Sequence, residues 1–184
     1  MADGRSKPAE DPDLAVPLDA RDHAQGPENA PVTLVEYGDY ECPTCGQAFP
    51  IVKQLRKTLS DQLRLIFRHF PQSNIHPHAS VAAQAAEAAG AQKKFWPRHD
   101  MLFEHHTEFD EVDFAQLALR VGVELYQFEA DMASERFAGK VLRDYEGGVI
   151  SGVKKTPTLF INGMKYNGPL DYEALLSAIN SAKP

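Results

Sequence analysis

The sequence has 184 residues, of which 43% are hydrophobic and 24% are charged. This composition is typical of a globular chain of about one domain, which can bury a core without cross-links. The formal net charge is −7, and the sequence has no basic patch long enough to follow a phosphate backbone. We therefore expect neither nucleic acid nor an anionic membrane as a partner. No apolar run reaches the ~18 residues of a membrane-spanning helix, and we expect no membrane span.

The first part of the chain predicts a loosely held segment. Residues 1–30 are polar and contain several prolines, which favours an N-terminal arm that is partly flexible. Residues 1–13 lack the apolar stretch of a secretory signal. We therefore expect a cytoplasmic location, or a periplasmic or other extracytoplasmic one if a leader has been trimmed from the sequence.

Residues 31–70 predict one β-α-β unit. Residues 31–37 are β-branched and nearly all apolar, which is typical of a buried strand, and Glu36 is the one charge among them. Apolar residues then recur at helical spacing from Pro43 onward, and proline suits the first helical position. Residues 63–70 return to the pattern of a strand.

The middle of the chain predicts an insertion of helices over residues 71–156. The glycine pair Gly147-Gly148 is expected to end the last helix. The predicted helices span residues 76–92, 94–105, 113–121, 125–132 and 135–145. Five histidines in this block are expected to be surface or core residues rather than metal ligands, because zinc needs about four convergent groups; they are His76, His78, His99, His105 and His106.

The C-terminal part, residues 157–184, predicts two strands and a helix. Asn162-Gly163 lies between apolar runs, which is a strong signal for a tight hairpin. Asp171 is suited to cap a final helix. The predicted order of elements is therefore β-α-β, a block of helices, and β-β-α.

The chain contains two cysteines, and they form the motif Cys42-Pro43-Thr44-Cys45 at the predicted junction of a strand and a helix. A thiol at a helix N-terminus faces unpaired N–H groups and the positive end of the helix dipole, which stabilise the reactive thiolate. Cys42 is therefore the predicted nucleophile, and Cys45 is the predicted resolving thiol.

Half of a zinc site is the alternative for these two cysteines. A pair of cysteines two residues apart predicts zinc strongly only when a second pair is present, and this sequence has none. The strand-to-helix context favours a redox pair over the metal site.

In combination, four segments resemble the DsbA-like thiol–disulfide oxidoreductases of thioredoxin fold. They are residues 34–45 with the cysteines, Phe67–Pro71, Phe95-Trp96 with His99, and Thr156–Gly163. The resemblance extends over residues 31–180. It implies an α/β thioredoxin fold whose core, residues 31–70 and 157–184, is split by the inserted helical domain of residues 71–156.

The resemblance also implies roles for residues outside the cysteines. Pro157 matches a cis-proline beside the pair, which leaves the backbone of Thr156 free to bind an extended substrate. Pro43 and Thr44 would complete the substrate-binding residues. Glu36 matches a buried acid that accepts the proton of the resolving thiol. An ordinary trans proline and a solvent-reaching glutamate remain the alternatives at these two positions.

Two features of the motif differ from the strongest oxidants that the resemblance suggests. The Pro43-Thr44 dipeptide lacks a histidine, and Asp39 and Glu41 place negative charge close to Cys42. Thr44 can donate a hydrogen bond but supplies no positive charge, and the two acids oppose the thiolate. We therefore expect a reduction potential between those of strong oxidants and of thioredoxin.

The sequence thus predicts a thiol–disulfide oxidoreductase that acts on protein or peptide dithiols and disulfides through a Cys42–Cys45 disulfide. Glutathione or a redox partner protein are further candidate partners, and neither a cofactor nor a metal is expected. One alternative is a metal- or peptide-binding thioredoxin-like module with a redox-silent cysteine pair. Another is a glutathione-dependent transferase or isomerase on a related fold, against which the second cysteine argues.

Overall fold

A computed structural model describes residues 13–111 and 113–184, and a mixed five-stranded sheet forms its centre. The strands lie in the order β1-β3-β2-β4-β5. β2 and β3 are parallel, whereas β1 pairs antiparallel with β3, β4 with β2, and β5 with β4. The strands are β1 (His23–Gln25), β2 (Val32–Gly38), β3 (Leu63–His69), β4 (Thr158–Ile161) and β5 (Met164–Lys165).

Helices cover the sheet and form the insertion between β3 and β4. The order of elements confirms the predicted α/β fold with its helical block. None of the helices within the described ranges combines the length and the apolar character that crossing a membrane requires. The helices are α1 (Pro43–Leu59), α2 (Ala79–Ala91), α3 (Phe95–Glu104), α4 (Phe114–Arg120), α5 (Leu125–Ala133), α6 (Ala138–Ile150) and α7 (Tyr172–Ser181).

Both faces of the central strand β2 are buried, which explains its continuous apolar sequence. Val32 and Leu34 pack in one core cluster with residues of α1 and α7. Val35 and Tyr37, which point to the opposite face because side chains alternate along a strand, pack in a second cluster. The strand that leads to Cys42 is therefore held rigidly from both sides.

The predicted N-terminal arm contains a strand, β1, for which the sequence pattern gives no signal. Buried Arg68 on β3 holds the segment before β1 in place. Its guanidinium donates hydrogen bonds to Asp22 at 2.8 and 2.9 Å, to the carbonyl oxygens of Val16 and Pro17 at 2.9 Å, and to the Tyr37 hydroxyl at 3.0 Å. The first 12 residues of the arm lie outside the described ranges.

The predicted end of the last inserted helix at Gly147-Gly148 is wrong. α6 continues through both glycines to Ile150. At Gly148 a Cβ atom would lie 2.6 Å from Phe70 Cδ2 and 3.0 Å from Tyr37 Cδ1. Glycine at this position therefore allows α6 to approach the sheet closely instead of ending the helix.

Alanine at Gly148 should destabilise the fold, because its methyl group would overlap the Phe70 ring. We expect Gly148→Ala to lower the free energy of unfolding by about 1–3 kcal/mol. Gly139 provides a matched control in the same helix, since a Cβ there would meet nothing within 4 Å. Gly139→Ala should raise stability by up to ~1 kcal/mol through helix propensity. Denaturant unfolding measures both, and equal effects of the two changes would contradict the proposed packing role.

Two predicted local motifs near the C-terminus are confirmed. Asn162 and Gly163 connect β4 to β5 with positive φ angles of 48° and 82°, as a tight hairpin turn of the primed type requires. Asp171 precedes α7, and its Oδ1 accepts a hydrogen bond of 2.9 Å from the backbone N–H of Ala174.

Candidate active site

Cys42 lies where the parallel strand β2 gives way to α1. It is the N-cap residue of α1 and has an extended backbone. Cys45 follows in the first turn of the helix. Cys42 is 5% exposed and Cys45 is fully buried, whereas Pro43 and Thr44 between them are exposed. Cys42 is therefore the more accessible of the two thiols.

Several hydrogen bonds stabilise the thiolate form of Cys42. They lower its pKa from 9.0 to about 5, and the largest contribution is the hydrogen bond from the Cys45 side chain. The side chain of Thr156 and the backbones of Cys45 and Thr44 add to this effect, while burial of the sulfur opposes it. Cys42 is therefore a thiolate at neutral pH, which is the form that attacks a disulfide.

The environment of Cys45 has the opposite effect. Burial raises its pKa well above the ordinary value of 9.0, and its hydrogen bond to Cys42 acts in the same direction. Cys45 consequently keeps its proton at neutral pH. Before it can attack Cys42 in a mixed disulfide, this proton has to be accepted by another group.

The loop before β4 lies against Cys42. The Thr156-Pro157 peptide bond is cis, which confirms the predicted cis-proline. Thr156 is buried, and its carbonyl oxygen lies 3.5 Å from Cys42 Sγ. The structure thus brings the cysteine pair and Thr156-Pro157 together from segments more than 100 residues apart. Their role in substrate binding stays a prediction.

Glu36 is buried in β2, so the alternative of a glutamate that reaches solvent is excluded. It is 2% exposed, and burial raises its pKa from 4.5 to about 7. Among the described residues its Oε1 has no hydrogen-bond partner. The charge of Glu36 contributes to the raised pKa of Cys45. A carboxyl group with a pKa near neutrality is suited to accept and release protons.

A narrow cavity of about 20 Å³ adjoins Glu36, which is room for one water molecule. Trp96 and His99 line it on the side of the helical insertion. Lys53 and Asp100 also line it, and these two form a surface ion pair at 2.7 Å. The cavity thus brings Glu36 next to both polar residues and apolar ones, the latter including Phe49, Val52 and Leu65.

The two acidic residues near Cys42 are each paired with a histidine. His76 Nδ1 lies 2.8 Å from Asp39 Oδ2, and His78 Nδ1 lies 2.9 Å from Glu41 Oε1. Neither carboxylate is among the main influences on the pKa of Cys42. The expectation that both acids oppose the thiolate therefore receives no support from the structure.

Sequence reasoning missed these two histidines because it extended the helix back to residue 76. α2 begins at Ala79, and His76 and His78 lie in the turn before it. A signal was nevertheless present in the sequence. β2 and β3 are predicted as consecutive strands of one β-α-β unit, so the loops after their carboxyl ends meet at one edge of the sheet.

Of the other histidines of the helical block, His99 is buried, and His105 pairs with Glu108 at 2.9 Å. Burial lowers the pKa of His99 from 6.5 to about 3, so its ring is neutral, and its Nδ1 lies 3.0 Å from the Tyr40 hydroxyl. His106 covers the start of α1, since a Cβ at Gly46 would lie 2.4 Å from its Nε2. The prediction that His99 is a core residue is confirmed.

A separate buried cluster contains residue types that bind metals, namely His69, Glu87 and Asp144. The ammonium of Lys140 lies among them, in contact with Asp144 and 3.6 Å from Glu87. A positive charge is therefore already supplied to these carboxylates. Neither cysteine belongs to this cluster, so in the described part of the chain the zinc alternative gains no further ligands.

Comparison with known proteins gives one family and a consistent fold. Residues 19–181 match the family described as Thioredoxin. BdbD from Bacillus subtilis superposes with a TM-score of 0.79 at 24% sequence identity, over 88% of this chain and 92% of that protein. Alpha-DsbA1 from Wolbachia pipientis gives 0.78 at 19% identity, over 92% and 94% of the two chains.

The curated relatives are longer proteins. The chain is 46% identical over 171 residues to a protein of Salinispora arenicola named Na(+)/H(+) antiporter NhaA 1. This match includes 92% of the chain but 26% of the relative, so the chain spans about a quarter of the length of such relatives. The chain therefore belongs to the thioredoxin family, and its fold is that of the DsbA-like thiol–disulfide oxidoreductases.

Proposed function

We propose that this chain exchanges disulfides with protein substrates through Cys42 and Cys45. The observation that carries the proposal is the opposite pKa shift of the two thiols. The pKa of Cys42, which lies at the rim of the site, is lowered to about 5. The pKa of Cys45, which is buried beneath it, is raised. This asymmetry supports attack on the substrate by Cys42 and resolution by Cys45.

In the reducing direction the reaction begins at Cys42. Its thiolate attacks one sulfur of the substrate disulfide, a mixed disulfide forms, and the other substrate sulfur leaves as a thiolate. Cys45 then gives its proton to Glu36 and attacks Cys42 Sγ. The Cys42–Cys45 disulfide forms and the second substrate sulfur leaves. The substrate gains two electrons and the pair loses two, so no bound cofactor is needed, and the same steps reversed oxidise a substrate.

The substrate polypeptide is proposed to lie along Thr156-Pro157. The carbonyl oxygen of Thr156 faces Cys42, and a backbone at this position can pair with an extended chain. Pro43 and Thr44 follow Cys42 directly, are exposed, and would contact the same segment. Glutathione or a redox partner protein would restore the starting state of the pair. We propose no ion transport for the chain, because the antiporter relatives extend far beyond the matched segment.

Trapping of mixed disulfides tests the proposal. The wild-type protein should catalyse thiol–disulfide exchange on a scrambled or reduced protein substrate, and Cys42→Ser should be inactive. Cys45→Ser should accumulate a mixed disulfide through Cys42, visible on non-reducing gels, because resolution is removed while the first attack remains. Exchange by Cys42→Ser at the wild-type rate would refute the assigned roles.

A zinc measurement on the same purified protein separates the metal-binding alternative. Stoichiometric zinc that protects both cysteines from alkylation would favour a redox-silent module. Zinc far below one equivalent, together with trapping by Cys45→Ser, would support disulfide exchange.

A further inference from the structure

Gln72 connects the loop after β3 to the cis-proline loop beside Cys42. Its backbone N–H donates a hydrogen bond of 2.8 Å to Asp39 Oδ2. Its side-chain Oε1 accepts a hydrogen bond of 2.9 Å from the Thr156 hydroxyl. The carbonyl oxygen of the same Thr156 accepts from Cys42 Sγ at 3.5 Å. Gln72 is therefore linked to the reactive sulfur of Cys42 through a single residue, Thr156.

Asp39 fixes the position from which the Gln72 side chain extends. The Asp39 side chain is fully buried. Besides Gln72 N, it binds the backbone N–H of Glu41 at 2.9 Å and His76 Nδ1 at 2.8 Å. The backbone carbonyl of Asp39 also accepts from the N–H of Cys42 at 3.2 Å. One residue thus anchors both the loop of Gln72 and the turn of Cys42.

The two protonation states of Cys42 need different hydrogen-bond partners: the thiol needs an acceptor, and the thiolate needs a donor. The thiol is a donor, and the Thr156 carbonyl oxygen accepts from it. A thiolate can only accept, and the Thr156 hydroxyl is the neighbouring side chain, other than Cys45, that stabilises it. In the structure that hydroxyl donates to Gln72 instead. A primary amide carries a donor as well as an acceptor, so a half-turn of the Gln72 side-chain amide would reverse this hydrogen bond.

We propose that Gln72 is a positioning residue that directs the Thr156 hydroxyl toward Cys42 whenever Cys42 is a thiolate. In that state Gln72 Nε2 donates to Thr156 Oγ1, and the hydroxyl hydrogen points to the sulfur. No proton passes through Gln72, because the amide only rotates and the proton of Cys42 leaves to solvent. The inference rests on the proposed function, since it assigns the ionisation of Cys42 a place in disulfide exchange.

Other ionisable groups surround Cys42 and have to stay constant in any test. Two of them, Cys45 and Glu36, belong to the proposed mechanism. The remaining groups come from the turn before α1, the loop after β3, the helical insertion and the loop before β4. They are the pairs Asp39–His76 and Glu41–His78, His106 over Gly46, and Lys154 and Lys155 next to Thr156. Substitution of Gln72 by a neutral residue leaves all of these charges in place.

A double-mutant cycle between Gln72 and Thr156 tests the inference. Gln72→Met keeps the length of the side chain but removes donor and acceptor, and Thr156→Val removes the hydroxyl. The readout is the pH midpoint of Cys42 alkylation in the reduced protein. We expect Gln72→Met to raise the midpoint by about 0.7 pH unit, which is about a fivefold loss of thiolate below it. In the Thr156→Val background the same change should alter the thiolate fraction less than about twofold.

Equal shifts in both backgrounds would overturn the inference, because Gln72 would then act only through the packing of its loop. No shift in either background would overturn it as well. If Gln72→Met does not fold, Gln72→Ala replaces it, because alanine is also neutral and also lacks the donor and the acceptor. Its midpoint should rise more with Thr156 present than with valine. Because this titration needs no disulfide substrate, it gives an answer even if the exchange assay fails.

Discussion

Iodoacetamide should label Cys42 of the reduced protein at pH 6 and leave Cys45 almost unmodified. With a pKa of about 5, Cys42 is about nine-tenths ionised at this pH, whereas an ordinary thiol of pKa ~9 is ionised to about a thousandth. The less basic thiolate is about 50-fold less nucleophilic, so the net advantage over an ordinary exposed thiol is about 20-fold. Against buried Cys45, whose pKa is raised, we expect at least about 100-fold. Mass mapping of briefly alkylated protein from pH 4 to pH 9 measures both rates.

A matched pair of variants identifies the cause of the low Cys42 pKa. The largest stabilising contribution is the hydrogen bond from Cys45. Cys45→Ser retains a donor at this position, and Cys45→Ala removes it. The alkylation midpoint of Cys42 should therefore lie higher in Cys45→Ala than in Cys45→Ser. Equal midpoints would assign the shift to the helix N-terminus and Thr156 instead, and preferential labelling of Cys45 in the wild type would reverse the roles of the two thiols.

Glu36→Gln should slow the resolution of a mixed disulfide by about 100-fold, while the first attack by Cys42 stays nearly unchanged. Loss of a positioned proton acceptor typically costs a factor of about 100 or more. The wild-type resolution rate should rise with pH up to about 7, where Glu36 loses its proton, and the variant should lack this inflection. Stopped-flow exchange with a disulfide peptide separates the two steps. Glu41→Gln is the matched control, because Glu41 pairs with His78 at the surface side of the site.

The same substitution should stabilise the protein at alkaline pH. The pKa of Glu36 is raised from 4.5 in the unfolded chain to about 7 in the fold. The fold therefore suffers almost no penalty from this group below pH 4.5; the penalty grows between pH 4.5 and 7 and is nearly constant above pH 7. At pH 8 Glu36→Gln should raise the free energy of unfolding by about 3 kcal/mol, with no gain at pH 4. Slower resolution without this gain, or equal slowing of both chemical steps, would leave Glu36 a structural residue.

Much of the fold and the centre of the site could be predicted from local patterns. The cysteine motif, the buried strand with Glu36 and the Asn162-Gly163 hairpin depend on neighbouring residues in the sequence, and the structure contains each of them. The cis-proline at Pro157 was predicted through the family resemblance rather than from spacing. Its position beside Cys42 follows from the pairing of β4 with β2.

The features that the sequence did not reveal depend on tertiary contacts. β1 has three residues and becomes a strand because it pairs with β3. Gly148 does not end the helix; a glycine is needed there because Phe70 occupies the space that a side chain would fill. Gln72 has no special local pattern, and it gains its place only because the loop after β3 folds onto Asp39. Such long-range contacts override local propensity.

The reduction potential of the cysteine pair tests the central claim most directly. The potential rises as the fold favours the thiolate, and a Cys42 pKa of about 5 lies between the values of strong oxidants, ~3.5, and of thioredoxin, ~7. Equilibration with graded glutathione buffers, followed by alkylation, should give one reversible two-electron transition with a reduction potential of about −180 mV. Cysteines that stay reduced at every glutathione ratio would contradict disulfide exchange through Cys42 and Cys45, and a potential below about −270 mV would contradict a stabilised Cys42 thiolate.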